Sequence, residues 1–204
     1  MTIIRGIFLF LDRTHVLQHE EARSLWGMSL AIWCSLLKVH YLVERQCIAG
    51  LLQLVERERQ GEVIDRALAK QILRMLTQLA VYAESFEAPF LRETCGFYRA
   101  ESARCMEELS VADYLAHANQ RISKERERVV HYLDDATWNP LLALTRRELV
   151  RVHVSALLEK GFGSLMNQDR RGDLRLMFTL LLEVEVGTLT VTHRVVYILW
   201  PRCR

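Results

Sequence analysis

The chain predicts an all-α protein, and three observations carry that prediction. Apolar residues recur at helical spacing along most of its length. Only 9 Gly and 3 Pro occur in 204 residues, few for a loop-rich or all-β fold. Residues that start helices stand just before the periodic runs, as Asp65 and Ser110 do.

Taken in order, helices are predicted at 3–17, 24–37, 42–60, 65–80, 86–108, 111–134, 140–160 and 172–183. The first is an apolar run, Ile7 to Leu11, closed by Asp12 and Arg13. The second holds Trp26, Ile32, Trp33 and Leu36. In the third, Leu51, Leu52 and Val55 form the stripe, and the alternating charges from Glu56 to Arg59 belong in water. Gly61 can take the left-handed backbone that ends a helix, and Asp65 can cap the next one. That fourth helix puts Leu68, Ile72, Met75, Leu76 and Leu79 on one face. Ser85 precedes the fifth, and Pro89 fits a first turn. Ser110, with Asp113 three residues on, opens the sixth. Its stripe is Val111, Tyr114, Leu115, Ala118, Ile122, Val129, Tyr132 and Leu133. Asn139 and Pro140 start the seventh, which carries Leu149, Val152, Ala156 and Leu157 and ends at Gly161 and Gly163. Short connections imply antiparallel neighbours. From Glu185 the letters turn β-branched and aromatic, and a lone strand is unstable by itself.

The totals narrow the class. Twenty-seven basic residues against 25 acidic give a net charge of +2, no strong pull toward nucleic acid or an anionic membrane. Five cysteines with no CxxC spacing argue against a disulfide framework or a zinc site. The stretch 25–43 contains Lys38 and His40 and falls short of the ~20 clean apolar residues a membrane span needs.

No catalytic constellation is legible. His15 and His19 have the i, i+4 spacing of a metal pair but lack a third ligand, and a solvated helix end is the expectation. His117, His131 and His153 fall among apolar positions, as structural histidines do. Cys95 and Cys105 are too far apart on one helix to act together and read as small buried hydrophobes. GFGSL at 161–165 lacks the strand and the Lys-Ser/Thr pair of a phosphate loop. ISKERERVV at 122–130 interleaves Lys124, Arg126 and Arg128 with Glu125 and Glu127, the pattern of a solvated face. No cofactor or metal is expected, and the chain reads as an interaction or scaffold protein without enzymatic activity.

Seven separated segments give a more specific reading. They are IRGIFLFLDRTHV (4–16), SLWGMSL (24–30), GLLQLVERERQGEVIDRAL (50–68) and VYAESFEAPFLRETCGFYRAES (81–102). ADYLAHANQRISKERERVVHYLD (112–134), LLEKGFGSLMN (157–167) and GDLRLMF (172–178) complete the set. In order and spacing they resemble the cullins, scaffolds of multisubunit ubiquitin ligases, and within them the class-four, plant-like members. The resemblance implies a stalk of five-helix cullin repeats. Residues 1–20 then match the last helix of an incomplete first repeat, 21–136 the second repeat, 137–184 the start of a third, and 185–204 a divergent tail. His15 stands where the pattern has Tyr, and Gly27 where it has Asp.

The resemblance also implies partners. In family members the last helix of the first repeat helps bind the adaptor, around positions that are Phe10 and Arg13 here. For class-four cullins that adaptor is the large damaged-DNA-binding protein. Weak binding is expected, because the companion adaptor-contacting helix lies outside these residues. The RING subunit is not expected, since the C-terminal domain that recruits it is outside them too. Neither nucleic acid nor membrane is an expected partner, and the implied compartments are nucleus and cytoplasm. Phe10 has a bland alternative in the core of its own repeat, with Arg13 merely solvated. On either reading, residues 3–17 are short of four partner helices, and Ile7, Phe8 and Leu11 are expected to form an exposed apolar patch prone to association. Two rival readings are an unrelated helical interaction module and a membrane-associated protein using residues 25–43.

Overall fold

The computed structural model describes residues 7–10, 12–14, 24, 25, 27–29, 32, 35 and 41–185. All regular structure among the described residues is helical, as the periodicity predicts. The strand-like tail after Glu185 lies outside them. Two compact units divide the chain, Met1–Phe86 and Glu87–Arg204.

In the first unit the residues 7–10, 12–14, 25, 27–29, 32 and 35 are helical. Helix α1 then spans Tyr41–Arg59 and α2 spans Arg66–Gln78. Leu51 and Val55 are buried and Leu52 half-buried, as the α1 stripe requires. Gly61, at φ +99°, ends α1. The Glu62 amide reaches back to Arg57 O and the Gly61 amide to Glu58 O, the paired bonds of a Schellman turn. Asp65 caps α2 by accepting from the Leu68 amide at 2.9 Å.

Two expectations hold only in part here. The charged run before Gly61 is not all in water: Arg59 is buried, and nearly buried Glu58 pairs with Arg66 at 2.7 Å. In α2 the buried residues are Ala69, Leu73 and Leu76, while Leu68 is 47% exposed. Leu68 is a turn-one residue whose amide is held by the cap. The buried face follows the i, i+4, i+7 row starting one residue later.

Ser85 does not cap the next helix. A π-helical turn, Tyr82–Glu87, feeds directly into it, and Ser85 Oγ donates to Glu44 Oε1 at 2.5 Å instead.

The second unit begins with α3, Ala88–Glu108, which has Pro89 in its first turn. Helix α4 spans Val111–His131. Ser110 Oγ accepts from the Asp113 amide and donates to the Asp113 carboxylate, so the predicted cap is present. Helix α5 is Trp138–Leu149. A 3-10 turn, Arg151–His153, follows. Three pieces then run on without a gap, Val154–Ala156, π-helical Leu157–Phe162 and Gly163–Asn167; together they are α6. Helix α7 is Arg171–Glu185. Tyr98, Tyr114, Leu115, Ile122, Leu149 and Met177 anchor one apolar core shared by these helices.

The predicted single helix at 140–160 is therefore broken. In an unbroken helix Leu149 O would accept from the His153 amide. Here Tyr114 Oη donates to Leu149 O at 2.6 Å, and the His153 amide turns to Val150 O. Val152, expected on the buried stripe, is 63% exposed as a result. Gly161 and Gly163 do not end the helix either. A Cβ on Gly161 would sit 2.4 Å from Val111 Cγ1, so the glycine permits α6 to approach the start of α4.

Candidate functional site

The two residues singled out for partner contact lie on the N-terminal helical segment. Phe10 is 68% exposed and Arg13 is also exposed. At three residues' spacing on a helix they share a face. Ile7, Phe8 and Leu9 beside them are each about half exposed. Leu11 and His15 fall outside the described residues.

Local chemistry fixes this segment. Thr14 Oγ1 donates to Phe10 O at 2.9 Å, one helical turn back. Asp12 Oδ1 accepts from the Leu25 amide at 2.6 Å, while Ser24 Oγ accepts from the Gly27 amide at 3.0 Å. Two side chains thus take donors at the start of the helical run beginning at Leu25, and one of them comes from the segment that carries Phe10 and Arg13. Asp12, read from sequence only as the polar end of an apolar run, makes a contact with Leu25 that sequence reasoning missed.

The remaining candidates are structural. His153 Nε2 lies 3.0 Å from Ser102 Oγ, which resembles a nucleophile–base pair. Ser102 is buried and donates to Arg99 O within its own helix, so its proton is committed to the backbone. Burial holds the His153 imidazole below its ordinary pKa, against an opposing pull from Glu148. The ring packs edge-on to Tyr114. His117 lies 3.6 Å from the Glu101 carboxylate, which also binds Arg121. His131 is exposed, unlike the structural histidine expected there.

Cys105 is buried, and burial raises its pKa, so it is the small hydrophobe expected. Cys95 is not. Its thiol is half-buried, 3.5 Å from Glu148 Oε1 and 3.5 Å from the guanidiniums of Arg99 and Arg147. Burial alone would raise the Glu148 pKa, but hydrogen bonds from Arg147 and Arg99 outweigh it and hold the carboxyl low.

The charged run at 122–130 is only half solvated. Lys124 and Glu127 face water, whereas Glu125 and Arg128 are buried and paired at 2.5 Å. Arg126 joins Arg146 on Glu183, tying α4 and α5 to α7. The segment 161–165 is helical and forms no phosphate loop.

Among the described residues no group of three or more His, Cys, Asp or Glu could hold a metal, and His15 and His19 lie outside them. No described helix is long and apolar enough to cross a membrane.

An exposed apolar helix face and structural polar clusters suit a scaffold, and comparison with known proteins gives it a family. The cullin alpha solenoid domain matches residues 1–197. Cullin-4A of Homo sapiens is 43% identical over 187 residues, covering 92% of this chain and 25% of the relative. Cullin-4 of Dictyostelium discoideum is 37% identical over 182 residues, 89% of this chain and 23% of the relative. Cullin-3A of Arabidopsis thaliana is 33% identical over 197 residues, 94% of this chain and 27% of the relative. The chain spans about a quarter of the length of these curated relatives. With its helices in the expected order and one family matched along nearly its whole length, the chain belongs to the cullin family.

Proposed function

We propose that this chain serves as part of the non-catalytic scaffold of a cullin-RING ubiquitin ligase, with its first helical segment facing the adaptor. The supporting observation is the exposure of Phe10 beside Arg13, on a segment anchored through Asp12. Aromatic and arginine side chains concentrate binding energy at protein interfaces. The partner is the class-four adaptor, the large damaged-DNA-binding protein, in nucleus and cytoplasm. Residues 1–20 close a first cullin repeat, 21–136 form the second, 137–184 open the third, and 185–204 are a divergent tail. The work of such a scaffold is geometric: stiff packed helices hold a substrate carrier at a set distance and so raise the effective concentration of the target group.

A binding titration of the purified chain against the class-four adaptor tests this. Weak binding that drops about tenfold in Phe10→Ala, and again in Arg13→Glu, is the expected result. Binding indifferent to both substitutions would overturn the assignment of this face. Tight binding would overturn the view that a companion helix is needed.

A further inference from the structure

A groove of about 500 Å³ opens in the second unit, floored by Leu91, Pro140, Ala143, Leu144 and Val184 and edged by Arg146, Arg147 and Arg151. Its size falls in the roughly 300–1,000 Å³ range of clefts that hold a ligand. We propose that it docks an acidic, amphipathic helical segment of a partner protein.

Charge selects that occupant. Glu183 is spent on Arg126 and Arg146, and Glu148 on Arg99 and Arg147. Arg151 is exposed and forms no ion pair among the described residues. Three guanidiniums, Arg146, Arg147 and Arg151, line the groove against one lining carboxylate, Glu183, and the edge keeps an excess of positive charge. A basic segment would be repelled. A neutral apolar one would gain only the floor. A helix with apolar residues at i, i+3 or i+4 and i+7, flanked by carboxylates, satisfies floor and edge together. Ala143 and Pro140, both exposed, leave the α5 wall low enough for such a helix to lie across it.

The test uses the intact chain and a labelled peptide of roughly 15 residues, about four helical turns. The peptide carries leucines on one face and glutamates elsewhere; a twin carries lysines in place of the glutamates. The acidic peptide is expected to bind at least about tenfold tighter than its twin, and to weaken as salt is raised. Arg151→Glu should weaken it about fivefold. Ala143→Lys and Ala143→Glu both raise the α5 wall and should both weaken binding, Ala143→Glu the more because it also repels the acidic segment; circular dichroism confirms that both variants fold. Equal binding of the two peptides, or no effect of these substitutions, overturns the proposal. So does binding that appears only when the chain is ended after Glu185, because the groove then belongs to the chain's own tail.

Discussion

Tyr98 Oη donates its hydrogen bond to Glu125 Oε1, and the carboxylate it meets is wholly buried. Arg128, one turn along α4, pairs with the same oxygen at 2.5 Å and is itself 4% exposed. Phenol, carboxylate and guanidinium therefore form one desolvated cluster joining α3 to α4. Removing the cation would strand a charge in the core. Arg128→Met should cost about 3–5 kcal/mol. Tyr98→Phe keeps the ring and loses only the donor, so about 2 kcal/mol is expected. Urea unfolding followed by circular dichroism measures both. A cost below about 0.5 kcal/mol for Arg128→Met would mean that Glu125 is neutral or hydrated in solution.

Gly161 faces Val111 so closely that no side chain fits: an added Cβ would lie 2.4 Å from Val111 Cγ1. Gly161→Ala should therefore destabilise by about 1–3 kcal/mol, despite alanine's better helix propensity. Val111→Ala removes the obstructing methyls. In the double variant most of the Gly161→Ala cost should vanish, giving a coupling energy of at least about 1 kcal/mol. Strict additivity of the two substitutions would show that α6 does not approach α4 in this way.

These two relationships mark where sequence reading stopped. Local signals were legible: the stripe of α4, the Asp65 and Ser110 caps, and the Gly61 turn were all predicted and are all present. What failed depended on a distant partner. Gly161 looks like a helix terminator until Val111 is placed beside it. The α5 break at Val150 depends on Tyr114, 35 residues away from the carbonyl it binds. Glu125 and Arg128 resemble their solvated neighbours Lys124 and Glu127 in composition; only the orientation of α4 buries one pair and not the other. At the candidate site, nothing in the spacing of Phe10 and Arg13 marks a binding face. The role proposed for them rests on family resemblance, and the Asp12 contact on their segment spans 13 residues.

His153 gives the second unit a pH response with a definite sign. Burial lowers its pKa from the ordinary 6.5, so the native state takes up a proton less readily than the unfolded chain. Stability is complete above that ordinary value. It declines as pH falls below about 6.5 and levels off once pH passes the lower native value. Glu148, whose pKa is also held down, remains ionised through the start of this window and loses its own contribution only at lower pH. His153→Gln retains a polar group for Ser102 and removes the titration. The variant should show a flatter stability profile between about pH 5 and about pH 7 in parallel urea titrations. An unchanged slope would assign the acid sensitivity to another group.

Ala80 sits at φ +56°, in the left-handed region that disfavours every residue with a Cβ. It occupies the helix-ending position that Gly61 fills one helix earlier. The Val81 amide bonds Leu76 O and the Ala80 amide bonds Thr77 O, repeating the Schellman pair around Gly61. Asp169, at φ +50°, closes α6 the same way, with the Arg170 amide on Leu165 O and its own amide on Met166 O. Of the three turns only the glycine announces itself in sequence. Ala80→Gly would relieve a strain of roughly 1 kcal/mol, offset partly by the greater freedom glycine gives the unfolded chain. A net gain of about 0.5 kcal/mol should follow, visible as a higher urea midpoint with an unchanged slope. Ala80 is exposed, so the lost methyl leaves no cavity to cancel the gain. A lower midpoint in the variant would show that α2 does not end in a left-handed turn at this residue.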